Sequence, residues 1–262
     1  GAKNHMVVMP DAVMDKTAEG IIASAFGAAG QRCMAGSVVV AVGEAWDLLR
    51  KELVPRTSAL RVGPGAAGDS DVGPVISDAA GARITAAVEA AIAEGARAAV
   101  DGRDVPVATG TDDGAGAGDA ADSAVTTSST RYVGPTILEG VDPSSETVRE
   151  EIFGPVLAVV EVETLAEAIE VVNASRYGNG TTIFTESGAA ARRYRVDVQA
   201  GMVGVNVGVA APVAFFPFSG WKDSFFGDVH AHGTDAIDFY TRKKTVTTRW
   251  YSEEAVGRFF VE

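Results

Sequence analysis

The chain has 262 residues, 47% of them hydrophobic, with a formal net charge of −13 at pH 7 and one cysteine. The length suffices for one large α/β domain or two small ones, and the acidic balance argues against nucleic acid and anionic membrane surfaces as partners. No apolar run approaches the roughly 18–20 residues of a membrane span, a lone cysteine excludes an internal disulfide, and a cytoplasmic setting is expected.

His5–Met9 reads as a short buried strand closed by Pro10 and Asp11. The five residues before Met6 lack the regions of a signal peptide. Asp15–Phe26 places Ala18, Ile21, Ile22, Ala25 and Phe26 at helical spacing. A glycine-punctuated turn, Gly27–Gly36, carries Cys33 to the next strand, Ser37–Val42, and Glu44–Leu53 reads as helix. Gly63–Gly68 lacks the Gly-Lys-Ser/Thr ending of a phosphate loop and is expected to be a plain loop. Ser77 is placed to cap a helix whose apolar stripe is Ile84, Val88, Ala91 and Ile92.

From about 103 to 130 the composition changes, and Thr109–Asp122 is rich in Gly, Ala and Asp. Such a stretch buries too little to offset its ordering entropy, so a mobile surface insertion is expected. Its aspartates miss the calcium-loop template. Strand-like sequence returns at Tyr132–Leu138, Val156–Val162, Tyr177–Thr185 and Gly201–Asn206, with helices around Leu165–Val172 and Ser187–Val196 between them. Alternation of this length predicts a doubly wound α/β sheet with its site at the strand ends. Lys244–Trp250 alternates like a further strand.

Cys33 has two readings. A free cysteine is commonly a small buried hydrophobe. Beside Arg32, at the end of an element, it is also well presented as a nucleophile, because a nearby cation or backbone N–H raises thiolate character. Phe215, Phe216 and Phe218 either wall a pocket or anchor a loop in the core. His230 and His232 have no third ligand nearby and are expected to be surface histidines rather than a metal pair.

Gly30-Gln-Arg-Cys-Met-Ala35 resembles the active-site segment of the aldehyde dehydrogenase superfamily, and Arg32 before Cys33 resembles the CoA-acylating methylmalonate-semialdehyde branch. Gly1–Ala12, Glu150-Glu-Ile-Phe-Gly-Pro-Val-Leu157, Tyr177–Thr185 (with Asn179 where Leu is the wider form) and Pro217–Gly227 continue the likeness in order. The resemblance implies a Rossmann-like, three-layer catalytic domain over 1–240, and an oligomerisation strand and tail over 241–262. It further implies a nucleotide-binding half upstream, with the oxyanion-hole Asn and any general-base Glu, so that this chain by itself forms no NADH. It makes Cys33 the nucleophile, assigns Glu151 to the ribose hydroxyls and Phe153 to the nicotinamide of NAD, and lets Arg32 pair with a substrate carboxylate and Phe218 line the substrate loop. The implied reaction oxidises malonate or methylmalonate semialdehyde through a Cys33 thioester, with coenzyme A as co-substrate and loss of carbon dioxide, in a homo-oligomer. Two alternatives stay open: a hydrolytic NAD(P)-dependent aldehyde dehydrogenase, and a non-catalytic domain that only binds a partner.

Overall fold

The computed structural model describes residues 1–66, 70–107 and 129–250. The expected insertion falls largely outside these residues, as do the end of the Gly63–Gly68 loop and the tail beyond Trp250. Among the described residues no helix is long and apolar enough to cross a membrane.

A seven-stranded sheet forms the centre. Its strands are β1 (Asn4–Val8), β2 (Gly36–Val42), β3 (Arg97–Val100), β4 (Thr136–Glu139), β5 (Val156–Val162), β7 (Gly180–Phe184) and β8 (Met202–Val205), in the order β3-β4-β5-β2-β1-β7-β8. All neighbours run parallel except β3, which is antiparallel to β4. Parallel strands covered on both faces read as continuous apolar runs rather than alternations. β2 shows this: Val38, Val39, Val40 and Ala41 have no exposed surface.

The connecting helices are α1 (Met14–Ala25), α2 (Ala45–Ser58), α3 (Asp78–Ala93), α4 (Glu146–Arg149), α5 (Leu165–Ala174) and α6 (Gly188–Asp197). Ser77 caps α3 as its sequence suggested, its Oγ accepting from the Ala80 N–H, and Ile84, Val88 and Ala91 face the core. Thr164 and Ser187 cap α5 and α6 in the same way. β6 (Tyr177–Gly178) pairs with β9 (Trp221–Lys222) in a separate antiparallel ladder. A short α7 (Asp235–Tyr240) follows.

Three differences from the sequence reading stand out. α2 runs to Ser58 rather than Leu53, through Pro55, because Leu53 and Thr57 are buried and hold the last turn on the core. β3 carried no apolar signal. It is held by β4 and by Arg97, whose Nε donates to buried Glu139 at 3.0 Å while Arg50 approaches the same carboxylate from α2 at 2.5 Å. Burial opposes the charge of Glu139, yet these bonds outweigh it and hold the carboxyl below its usual range. Residues 241–250 take no strand pairing among the described residues and are exposed throughout.

Candidate active site

α1 ends at Ala25, and the chain then reverses through three consecutive left-handed residues, Ala28 (φ 52°), Ala29 (φ 53°) and Gly30 (φ 68°). A Cβ on Gly30 would lie 2.3 Å from the Gly154 carbonyl oxygen. Two backbones therefore touch, and this contact sets the Cys33 loop against the loop before β5. The Cys33 thiol is exposed. It shares a narrow cleft with Ala2, Asn4, Arg32, Glu151 and Phe153.

The strands that open onto this cleft are β1, β2 and β5, and they do so at their amino ends, through Asn4, Gly36 and Val156. The cleft thus lies at strand ends, but on the side opposite to the carboxyl-end crevice on which the expectation from a doubly wound sheet rested. The strand at Met202–Val205 ends elsewhere: Asn206 exchanges hydrogen bonds with the backbone of Thr185 at the carboxyl end of β7.

Glu151 accepts the Ala2 N–H on Oε1 at 3.0 Å, which orients the carboxylate and leaves Oε2 for another donor. Phe153 is 40% exposed and adopts φ 53°. An exposed aromatic held in a left-handed conformation is a costly arrangement of the kind concentrated at ligand sites. A carboxylate with an oxygen to spare beside an open ring face suits a ribose and a flat heteroaromatic, so these residues fit a nicotinamide cofactor.

Arg32 lines the cleft but is turned back onto α1. Its Nη2 donates to the carbonyls of Ala23 and, at 3.1 Å, Ser24, in the last turn of the helix, where a cation is favoured. Gly27 permits this, since a Cβ there would lie 2.7 Å from Nη2. With both Nη2 hydrogens committed, Arg32 as placed offers a carboxylate Nη1 rather than a two-nitrogen edge.

Phe218 is not brought to this cleft. Its ring packs at 6.0 Å from Phe225 and edge-on to His232 at 6.5 Å. The segment leading to it does approach: Gly208 and Ala210 lie beside Met34 behind the cysteine loop. His230 is largely buried rather than on the surface, with Nδ1 3.1 Å from Asp235. A larger hollow of about 460 Å³ beside His5, Val148 and Glu170 contains none of the predicted site residues.

Sequence reasoning missed two asparagines. Asn4 and Asn179 both donate to the Cys33 carbonyl, at 2.9 and 2.8 Å. Asn179 had a signal, the replacement of Leu after Gly178, whereas Asn4 had none. Below them Lys3 and His5 are almost sealed from solvent. Burial lowers the Lys3 ammonium to about 8 against the pull of Glu151 and Glu150, and lowers His5 to about 4.

With this geometry in place, the profile of the aldehyde dehydrogenase family matches residues 1–246. The chain belongs to the aldehyde dehydrogenase family. It is 47% identical over 250 residues to malonate-semialdehyde dehydrogenase 2 of Geobacillus kaustophilus, covering 95% of this chain and 48% of that protein. A malonate-semialdehyde dehydrogenase of Pseudomonas aeruginosa is 44% identical over 251 residues, covering 95% and 47%. Among solved structures, methylmalonate-semialdehyde dehydrogenase from Oceanimonas doudoroffii superposes with a TM-score of 0.84 at 42% identity, covering 98% of this chain and 49% of that one. A provisionally assigned methylmalonate-semialdehyde dehydrogenase from Sinorhizobium meliloti, solved with NAD, gives 0.85 at 41% identity, covering 96% and 48%. This aldehyde dehydrogenase chain spans about half the length of the curated relatives it matches.

Proposed function

We propose that this chain is the catalytic part of an NAD-dependent, CoA-acylating dehydrogenase of malonate or methylmalonate semialdehyde. The observation that carries the reading is one cleft bearing an exposed thiol, a guanidinium, a carboxylate with a spare oxygen and an open aromatic ring: Cys33, Arg32, Glu151 and Phe153.

In this reading the Cys33 thiolate adds to the aldehyde carbon, forming the C–S bond, and the carbonyl oxygen takes the negative charge. The Cys33 N–H has no acceptor among the described residues and is available to that oxyanion. NAD, when bound, supplies the acceptor for the hydride that leaves the same carbon, so that an acyl thioester stays on Cys33. Glu151 and Phe153 orient the ribose and nicotinamide. Arg32 draws the substrate carboxylate toward Nη1, which places the aldehyde at the far end of the molecule near the sulfur. Phe218 sits on the loop proposed to close the substrate side. The acyl thioester loses carbon dioxide as its α-carbon takes a proton from solvent, and the acyl group then passes to the sulfur of coenzyme A, whose thiol proton is released as the Cys33 thiolate leaves, giving acetyl-CoA or propionyl-CoA.

The test is a chimera in which this chain replaces the corresponding half of the Geobacillus relative. CoA-dependent NADH formation from malonate semialdehyde, lost in Cys33→Ser, is the expected result. NADH formation indifferent to CoA would point to hydrolysis instead, and none at all from a folded chimera would overturn the catalytic reading.

A further inference from the structure

The Cys33 loop is exposed, yet its backbone is fixed on both sides of the nucleophile. The peptide before Cys33 is held through the Arg32 carbonyl, which accepts the Ala35 N–H at 3.1 Å. The peptide after it is held through the Cys33 carbonyl, which accepts both Asn4 Nδ2 and Asn179 Nδ2. The two asparagines come from separate elements: Asn4 opens β1, and Asn179 lies between β6 and β7. They are also braced to each other. Asn4 Oδ1 accepts the N–H of Gly180 at 3.1 Å, and its Nδ2 donates again to the Ala35 carbonyl at 2.8 Å. Asn179 Nδ2 also contacts Met34 Sδ at 3.1 Å.

Both asparagines are buried, at 6% and 5% exposure. Burying an amide is unfavourable unless its hydrogen bonds are made, and a leucine would fill the space of Asn179 without that cost. What the amide adds over a leucine is a donor aimed at one carbonyl. With both flanking peptide planes held, Cys33 cannot turn about φ or ψ, so its N–H and its Cα–Cβ bond keep fixed directions and the sulfur moves only between the rotamers of χ1.

We propose that Asn4 and Asn179 are positioning residues that hold the Cys33–Met34 peptide and so aim the Cys33 thiol and N–H together at one reacting carbon. This rests on the reading of Cys33 as the nucleophile. Two reactions of the same thiol separate aim from mere reactivity. With p-nitrophenyl acetate, the thiolate forms a C–S bond, an oxyanion develops, and p-nitrophenolate leaves. With iodoacetamide, a C–S bond forms as iodide departs and no oxyanion arises. Only the first gains from an N–H held in line with the sulfur.

The experiment measures both rates at Cys33 in the 262-residue chain and in Asn179→Leu and Asn179→Asp, alongside thermal unfolding. At pH 7.5 both variants are expected to lose about tenfold or more in acylation while alkylation stays within about threefold. In Asn179→Asp a carboxylate faces the carbonyl oxygen with no hydrogen to give. Burial at this position raises a carboxyl above its usual range, so toward pH 5 it takes a proton and donates again, and its acylation-to-alkylation ratio should recover, while that of Asn179→Leu should not. Unchanged ratios in both variants would overturn the inference. So would a parallel loss of both rates with early unfolding, which would make the asparagines structural only. Wild-type Cys33 acylated no faster than a free cysteine amide would instead remove the nucleophile reading itself.

Discussion

Lys3 and His5 stand two residues apart on one face of the first strand segment, with exposures of 3% and 2%. Among the described residues Lys3 Nζ and His5 Nε2 have no hydrogen-bond partner, while His5 Nδ1 lies 2.9 Å from the Lys3 carbonyl. Both groups bind their proton less tightly in the folded chain than in the unfolded one. The unfolded state therefore carries the extra proton within each window, and stability rises with pH across it. For His5 the window runs from its folded value of about 4 up to 6.5, and for Lys3 from about 8 up to 10.5. Lys3→Met removes the second window alone. The variant is expected to exceed wild type by roughly 3 kcal/mol at pH 7 in urea titrations, with the gap closing toward pH 10.5. A gap independent of pH would show that the amine is not buried charged. At this scale Cys33, Arg32, Glu151 and Phe153 were legible because their chemistry sits in short contiguous motifs. Asn4 and Asn179 were not, since their role depends on a carbonyl 29 and 146 residues away.

The turn between α1 and β2 is an element in which local preference and tertiary demand conflict. Three left-handed residues in a row put two alanines in a conformation that costs each of them about 1–2 kcal/mol. Ala28 is exposed, so Ala28→Gly should stabilise the chain by up to about 1 kcal/mol in chemical denaturation. Gly30→Ala should do the reverse. It adds a left-handed alanine and a Cβ 2.3 Å from the Gly154 oxygen, and a loss of at least about 2 kcal/mol is expected. Equal effects of the two substitutions would show that the Gly30–Gly154 contact does not hold the cleft together. The starts of helices with side-chain caps were readable to within a residue, because residues such as Ser77 and Ser187 mark them chemically. The end of α2 and the existence of β3 were not, because burial of Thr57 and the Arg97–Glu139 bonds belong to partners elsewhere in the chain.

Across the whole molecule, the segment after α7 presents Val246 and Trp250 at 73% and 76% exposure, two apolar side chains on the same face of an alternating run. An exposed alternating segment of this kind suits pairing with a second copy, the assembly expected from the sequence. Sedimentation velocity should then show self-association of the chain that Val246→Asp weakens by about tenfold or more. A monomeric wild type would remove this segment from assembly.

The sequence by itself determined the alternation of strands and helices, the glycine-bounded presentation of Cys33, and the two motifs that share its cleft. Each is encoded by periodicity, capping or residue type within about ten positions. Tertiary structure alone decided that the cleft opens at the amino ends of β1, β2 and β5. It also decided that Arg32 turns onto α1, that Phe218 packs with Phe225, and that two distant asparagines grip one carbonyl. Those outcomes depend on which strands become neighbours. Strand order is set by burial of the whole sheet rather than by any stretch of chain.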